Sequence, residues 1–228
     1  MPTATPLLPT RPEVIAGMLG EYERFAELIG PLDPDQWETP TRCGGAPVRD
    51  VAGHVVGIVE DVVAGRPASR TFEEEAAAMR DDGPADAVAR LEAALDGLRA
   101  LAAVLDDDDV WNGPSGAPDL TMADGVLTLW YDTYVHVDDV QVALGRPSEP
   151  AAGERAALAY VVGQLAAQGF GPARIELIAR DLPMVELGAV DDATPTVAVD
   201  PHDFLLAATG RLDAAPLGLD PAVNLYRD

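Results

Sequence analysis

Lysine is absent from this chain of 228 residues, and all 15 of its basic side chains are arginine. A Schiff-base lysine, a lysine general base and the lysine of a phosphate-binding loop are therefore excluded from any mechanism. Cysteine occurs once, at Cys43, which rules out an intramolecular disulfide and any four-cysteine zinc or iron cluster. Imidazole chemistry must pass through three residues, His54, His136 and His202. No window approaches the 18 or more uninterrupted apolar residues that would span a bilayer. Against these scarcities stand 39 acidic side chains and a net charge of −24, a balance that repels nucleic acid and anionic membrane surfaces. At 48% apolar the chain can bury a real core. Its proline-rich start, Met1 to Pro12, lacks a basic segment followed by an apolar run, so a cytoplasmic location is expected.

Apolar periodicity predicts four helices in the first part of the chain. The first has Pro12 just inside its start, carries Val14, Met18, Tyr22, Phe25 and Ile29 on one face, and stops at Gly30-Pro31. A turn-rich stretch from Leu32 to Pro47 leads to a second helix over Val48 to Val63, with Val51, Val55, Ile58 and Val62 at spacings of four, three and four. Asp86 to Leu105 repeats leucine on one stripe, and the run Asp106 to Asp109 is expected to be a solvated loop. The fourth helix opens on Thr121 with Asp124 as a capping box and runs about 24 residues to Gly145. Two prolines between Arg146 and Gly153 put a boundary near residue 148. Beyond it, a helix over Glu154 to Gln168, three short strands and a short helix from His202 to Thr209 predict a small α/β unit with a mainly antiparallel sheet. The expected architecture is α+β: a four-helix bundle over residues 1–148, then an α/β domain over residues 149–228.

The chemistry concentrates on two of the helices. His54 falls among Val51, Val55 and Ile58 and should face the bundle interior. The fourth helix is apolar nearly all round except for Thr128, Asp132, His136 and Asp139, spaced four, four and three. Short polar groups on an apolar rod point to a buried site needing partners rather than to a wetted face. His54, Asp132 and His136 form a ligand set that suits zinc with its fourth position open. An internal ion pair between Asp132 and His136 accounts for the same spacing. Histidine and carboxylate ligands also suit nickel, cobalt and iron. Cys43, in the turn before the second helix, reads as a packed small hydrophobe rather than a nucleophile.

Several motifs together carry a resemblance. The run Trp37-Glu-Thr-Pro-Thr-Arg-Cys43-Gly-Gly, continuing into Val48-Arg-Asp50-Val51-Ala-Gly-His54, and the later Asp132-xxx-His136-xx-Asp139 closing on Ala143-Leu-Gly145, resemble the mycothiol-dependent maleylpyruvate isomerase family of DinB-like four-helix metalloproteins. Phe204-Leu-Leu-Ala-Ala-Thr-Gly210-Arg211 resembles the helix and Gly-Arg of that family's second domain. The resemblance implies metal ligation by His54, Asp132 and His136, with Asp132 standing where the family usually has glutamate. It also implies a ligand-orienting role for Asp139 and a thiol cosubstrate, mycothiol, bound as thiolate at the metal. Ala46 replaces a tryptophan expected before Val48. An acidic protein needs a local arginine to receive a carboxylate-bearing electrophile, and the Gly-Arg match makes Arg211 the candidate. The resulting expectation is a mycothiol-dependent isomerase or S-transferase with a divalent metal, zinc foremost, acting on a small electrophile. A hydrolase using metal-bound water and a non-enzymatic binding or regulatory bundle are the alternatives.

Overall fold

A computed structural model describes residues 7–148, 152–178 and 182–227 of the chain. These divide into two compact units, one within Arg11–Glu149 and the other within Pro150–Asp228 together with residues 7–10.

The first unit is built on four long helices. In α1 (Arg11–Ile29) the buried Val14, Met18, Tyr22, Phe25 and Ile29 recur every three or four residues, which gives one continuous apolar face. Next come α2 (Pro34–Trp37), α3 (Val48–Val63), α4 (Phe72–Ala77), α5 (Pro84–Ala102), α6 (Asp108–Trp111) and α7 (Met122–Ala143). Helix α1 packs on α5 and α7, and α3 packs on the same two, so α1 and α3 stand diagonally across a four-helix bundle. Thr121 caps α7 in a box with Asp124, and Gly145 ends it in the left-handed conformation at φ +69°, where a side chain would be strained.

Two short helices lie where the periodicity announces none. Asp33 and Gln36 form a capping box that winds α2 inside the turn-rich stretch, and Thr71 and Glu74 do the same for α4. The aspartate run is also more ordered than a solvated loop. Asp107 accepts hydrogen bonds from the backbone of Asp109 and Val110 and starts α6, while Asp108 pairs with Arg11 at 2.5 Å.

Helix α4 lies directly against α3, and two glycines make room for it. A Cβ at Gly53 would sit 2.8 Å from Ala76 Cα, and one at Gly57 would sit 2.8 Å from Glu75 Cβ. Glycine at these two positions sets the depth at which α4 rides on α3.

The second unit contains α8 (Ala152–Ala167), β1 (Ala173–Leu177), β2 (Val185–Leu187), β3 (Thr196–Val199) and α9 (Pro201–Ala208). Its sheet has the order β2-β1-β3, with β1 antiparallel to β2 and parallel to β3. The sheet is therefore mixed, where a mainly antiparallel one was expected: the chain crosses from β2 past β1 before β3 forms, instead of turning back as a hairpin. Ile175, Leu177, Val185, Leu187 and Val199 are buried, and α8 packs on both β2 and α9. No helix among the described residues is long and apolar enough to cross a membrane.

Candidate metal centre

Helix α3 brings His54 into the bundle from one side, and α7 brings Asp132 and His136, one turn apart, from the facing side. His54 Nε2 lies 3.5 Å from Asp132 Oδ2, and His136 Nε2 lies 3.6 Å from Asp132 Oδ1. The two imidazole rings stand nearly perpendicular, with centroids 5.1 Å apart. Ligands at about 2.1 Å from a tetrahedral zinc are separated by about 3.4 Å, and each imidazole Nε2 lies near that spacing from the Asp132 carboxylate, one from each of its oxygens. All three donors lie within 4.8 Å of one another. Two nitrogens and one carboxylate oxygen leave a fourth position open, the donor set of a catalytic rather than a structural site. His136 is buried, while the side chains of His54 and Asp132 keep 16% and 22% of their exposure, which marks the side from which small molecules can approach.

Carboxylates back both imidazoles. Glu75 Oε2, on α4, lies 2.6 Å from His54 Nδ1, and Asp139 Oδ2 lies 3.2 Å from His136 Nδ1, close but not aligned as a hydrogen bond. The Glu75 pairing turns Nε2 of His54 toward the centre and favours the tautomer that can donate an electron pair there. Burial disfavours a charged His54, but the Asp132 and Glu75 carboxylates outweigh it and push its pKa up to about 10. Tyr22, buried on α1 and hydrogen-bonded to Thr133, has its phenol raised well above the usual range by burial, with Asp132 and Glu75 adding to the effect. Asp139 is wholly buried and is held by Arg42, whose Nε donates to its Oδ1 at 2.9 Å while an Nη pairs with Asp138. The Phe72 ring lies against His54 at 4.9 Å between centroids, so α4 supplies an aromatic wall in a bundle that has Ala46 at the position of the expected tryptophan.

The remaining sequence candidates fall in different places. Thr128 donates to the Asp124 carbonyl on its own helix and stands one turn away from Asp132. Cys43 is half-buried, with its sulfur within 4.8 Å of donor atoms of His136 and Asp139, closer to the centre than its reading as a packing residue implies. Because Asp139 already carries an arginine, the trio of His54, Asp132 and His136 is the better cation site. Arg211 follows α9 in the second unit and donates to the Thr209 carbonyl at 3.2 Å. It lines a concavity of about 300 Å³ with Gly210, Asp213 and Asn224. His202 starts α9 and belongs to neither trio. Glu75, Arg42 and Asp138 escaped the sequence reading. The glycine pair around His54, which implies an element packed on α3, was the available signal for Glu75.

The first unit is thus a four-helix bundle in which two imidazoles and an acid from facing helices converge. The sequence model of the mycothiol maleylpyruvate isomerase N-terminal domain matches residues 19–141, and the chain belongs to this family. Two solved structures are similar over nearly the whole chain: the mycothiol-dependent maleylpyruvate isomerase, with a TM-score of 0.63, and a histidine-to-alanine mutant of it, with 0.61. Each alignment covers 91% of this chain and 92% of the other at 14% identity, which establishes a shared fold. No curated protein matches the sequence.

Proposed function

We propose that this chain is a mycothiol-dependent metalloenzyme, an isomerase or S-transferase acting on a small electrophile. The observation that carries this reading is the trio of His54, Asp132 and His136, whose donor atoms all lie within 4.8 Å of one another, with a carboxylate beside each imidazole. In this reading residues 1–148 form the metal-binding domain and residues 149–228 a second, α/β domain. A divalent ion such as zinc, held by these three side chains, would stabilise the deprotonated form of a thiol at its open position.

The chain's own residues do the rest. Glu75 fixes the orientation of His54, and Arg42 holds Asp139 in place beside His136. Phe72 covers His54 on the α4 side, where it would shield a bound thiolate from water. When bound, a thiol cosubstrate would supply a nucleophile for reversible addition to an electron-poor double bond, chemistry that serves cis–trans isomerisation when the thiol is released again and S-conjugation when it is retained. The reduced thiol pool this chemistry needs fits a cytoplasmic setting.

The reading is tested by titrating mycothiol into zinc-loaded protein in a calorimeter, then assaying an activated olefin with and without the thiol. Saturable binding and thiol-dependent turnover are expected. Olefin turnover that is equal without thiol would overturn this reading, and thiol-independent cleavage of an ester or amide would replace it with a hydrolase using water at the same centre.

A further inference from the structure

An apolar cavity of about 410 Å³ opens in the bundle beside the candidate centre. Ile58, four residues after His54 on α3, and Thr128, four before Asp132 on α7, both line it. Two of its lining residues therefore lie one helical turn from the ligands on the same two helices. Leu98, Leu129 and Val126 line its interior, and no charged side chain among the described residues contributes to it. Its two hydroxyls are already spent on backbone carbonyls, Thr128 on Asp124 at 2.7 Å and Ser115 on Leu120 at 3.1 Å. At the rim, Leu101 and Val104 are 43% and 54% exposed, apolar surface that gains by being covered.

A carboxylate placed in this cavity would be stripped of water with no cation to meet it, and a hydroxyl-rich thiol would fare little better. A hydrocarbon body loses nothing on entering. We propose that the cavity is the subsite for an apolar body attached to the reacting carbon. The substrate class is then an electrophile whose uncharged, hydrocarbon-rich part has on the order of ten to fifteen non-hydrogen atoms, a size suited to a pocket of this volume. A compact dicarboxylate lacks such a body. This assignment rests on the metal and thiol reading above, and it places any carboxylate of the substrate outside the bundle cavity.

The test uses the full chain loaded with zinc and the neutral fluorophore N-phenyl-1-naphthylamine as probe. Wild type is expected to bind the probe saturably at one site. Ala102→Trp, which fills the cavity from α5, weakens binding at least tenfold, and Leu101→Gln at the exposed rim weakens it several-fold, with zinc content unchanged in both. With mycothiol present, kcat/KM for a series of activated olefins rises about fourfold per added methylene in wild type and stays flat in Ala102→Trp. A probe that does not bind, or binds wild type and both variants equally, overturns the subsite. So does sedimentation that shows a dimer dissociated by Leu101→Gln, which would make the rim a contact between copies. Intact probe binding without zinc or mycothiol binding overturns instead the metal and thiol reading, and with it the identity of the occupant.

Discussion

The carboxylate of Glu75 lies 2.6 Å from Nδ1 of His54, although the two residues sit on separate helices and face each other only because α4 rides in a glycine notch on α3. The pairing leaves Nε2 of His54 directed at Asp132, 3.5 Å away. A carboxylate behind an imidazole raises its basicity and holds its ring, so Glu75 acts on the centre without touching a ligand position.

Glu75→Gln keeps the size and a hydrogen-bond acceptor but removes the charge. Zinc affinity should fall about 10- to 100-fold, measured by competition with a chromogenic chelator, while the helical circular dichroism signal stays that of wild type. Unchanged affinity would mean that Glu75 only packs.

Gly53→Ala should have a similar consequence by a different route. Its new methyl would meet Ala76 Cα at 2.8 Å, backbone that cannot swing aside, so α4 must lift and carry Glu75 away from His54. Both zinc affinity and melting temperature are expected to fall. Gly20→Ala is the control, since Gly20 is exposed on α1 with nothing within 4 Å of its new methyl. That change should stabilise the protein by about 0.5–1 kcal/mol.

Without a metal, His54 has its pKa raised from 6.5 to about 10. A raised folded-state pKa stabilises the fold below the unfolded value, and this contribution is lost as pH rises through the folded value. The melting temperature of metal-free protein should therefore decline from pH 7 to 10, and His54→Gln should remove most of that decline. Because the proton must leave before Nε2 can act as a ligand, zinc affinity should rise with pH by up to about tenfold per unit over the same range. A pH-independent affinity would show that His54 is not a ligand.

Arg42 joins a turn of the chain to two buried acids, Asp138 and Asp139, of which Asp139 is wholly buried. Arg42→Ala leaves those charges without their cation and should cost about 3 kcal/mol in chemical denaturation. A loss below about 1 kcal/mol, as for an exposed pair, would contradict this role.

Much of this arrangement is legible in the amino-acid order, for a physical reason. Helices α1, α3 and α5 announce themselves because a buried face repeats every three or four residues, and on α7, apolar nearly all round, Asp132 and His136 stand out as short polar groups one turn apart. Glu75 does not, because in Glu73-Glu74-Glu75 the buried acid is chemically the same as its exposed neighbours. Only the packing of α4 on α3 selects it. Asp138 lies outside the spacing of the polar stripe, and its partner Arg42 is 96 residues away, a separation that no local pattern encodes. The parallel pairing of β1 with β3 is likewise a consequence of where the chain crosses, not of the composition of either strand.

The central claim is that His54, Asp132 and His136 hold one cation together. The direct measurement is metal content by mass spectrometry after zinc loading and desalting, for wild type and for His54→Ala, Asp132→Ala and His136→Ala, each verified as folded. The account predicts about one zinc per chain in wild type and nearly none in the three variants. Full zinc retention in His54→Ala, or none in folded wild type, would contradict it.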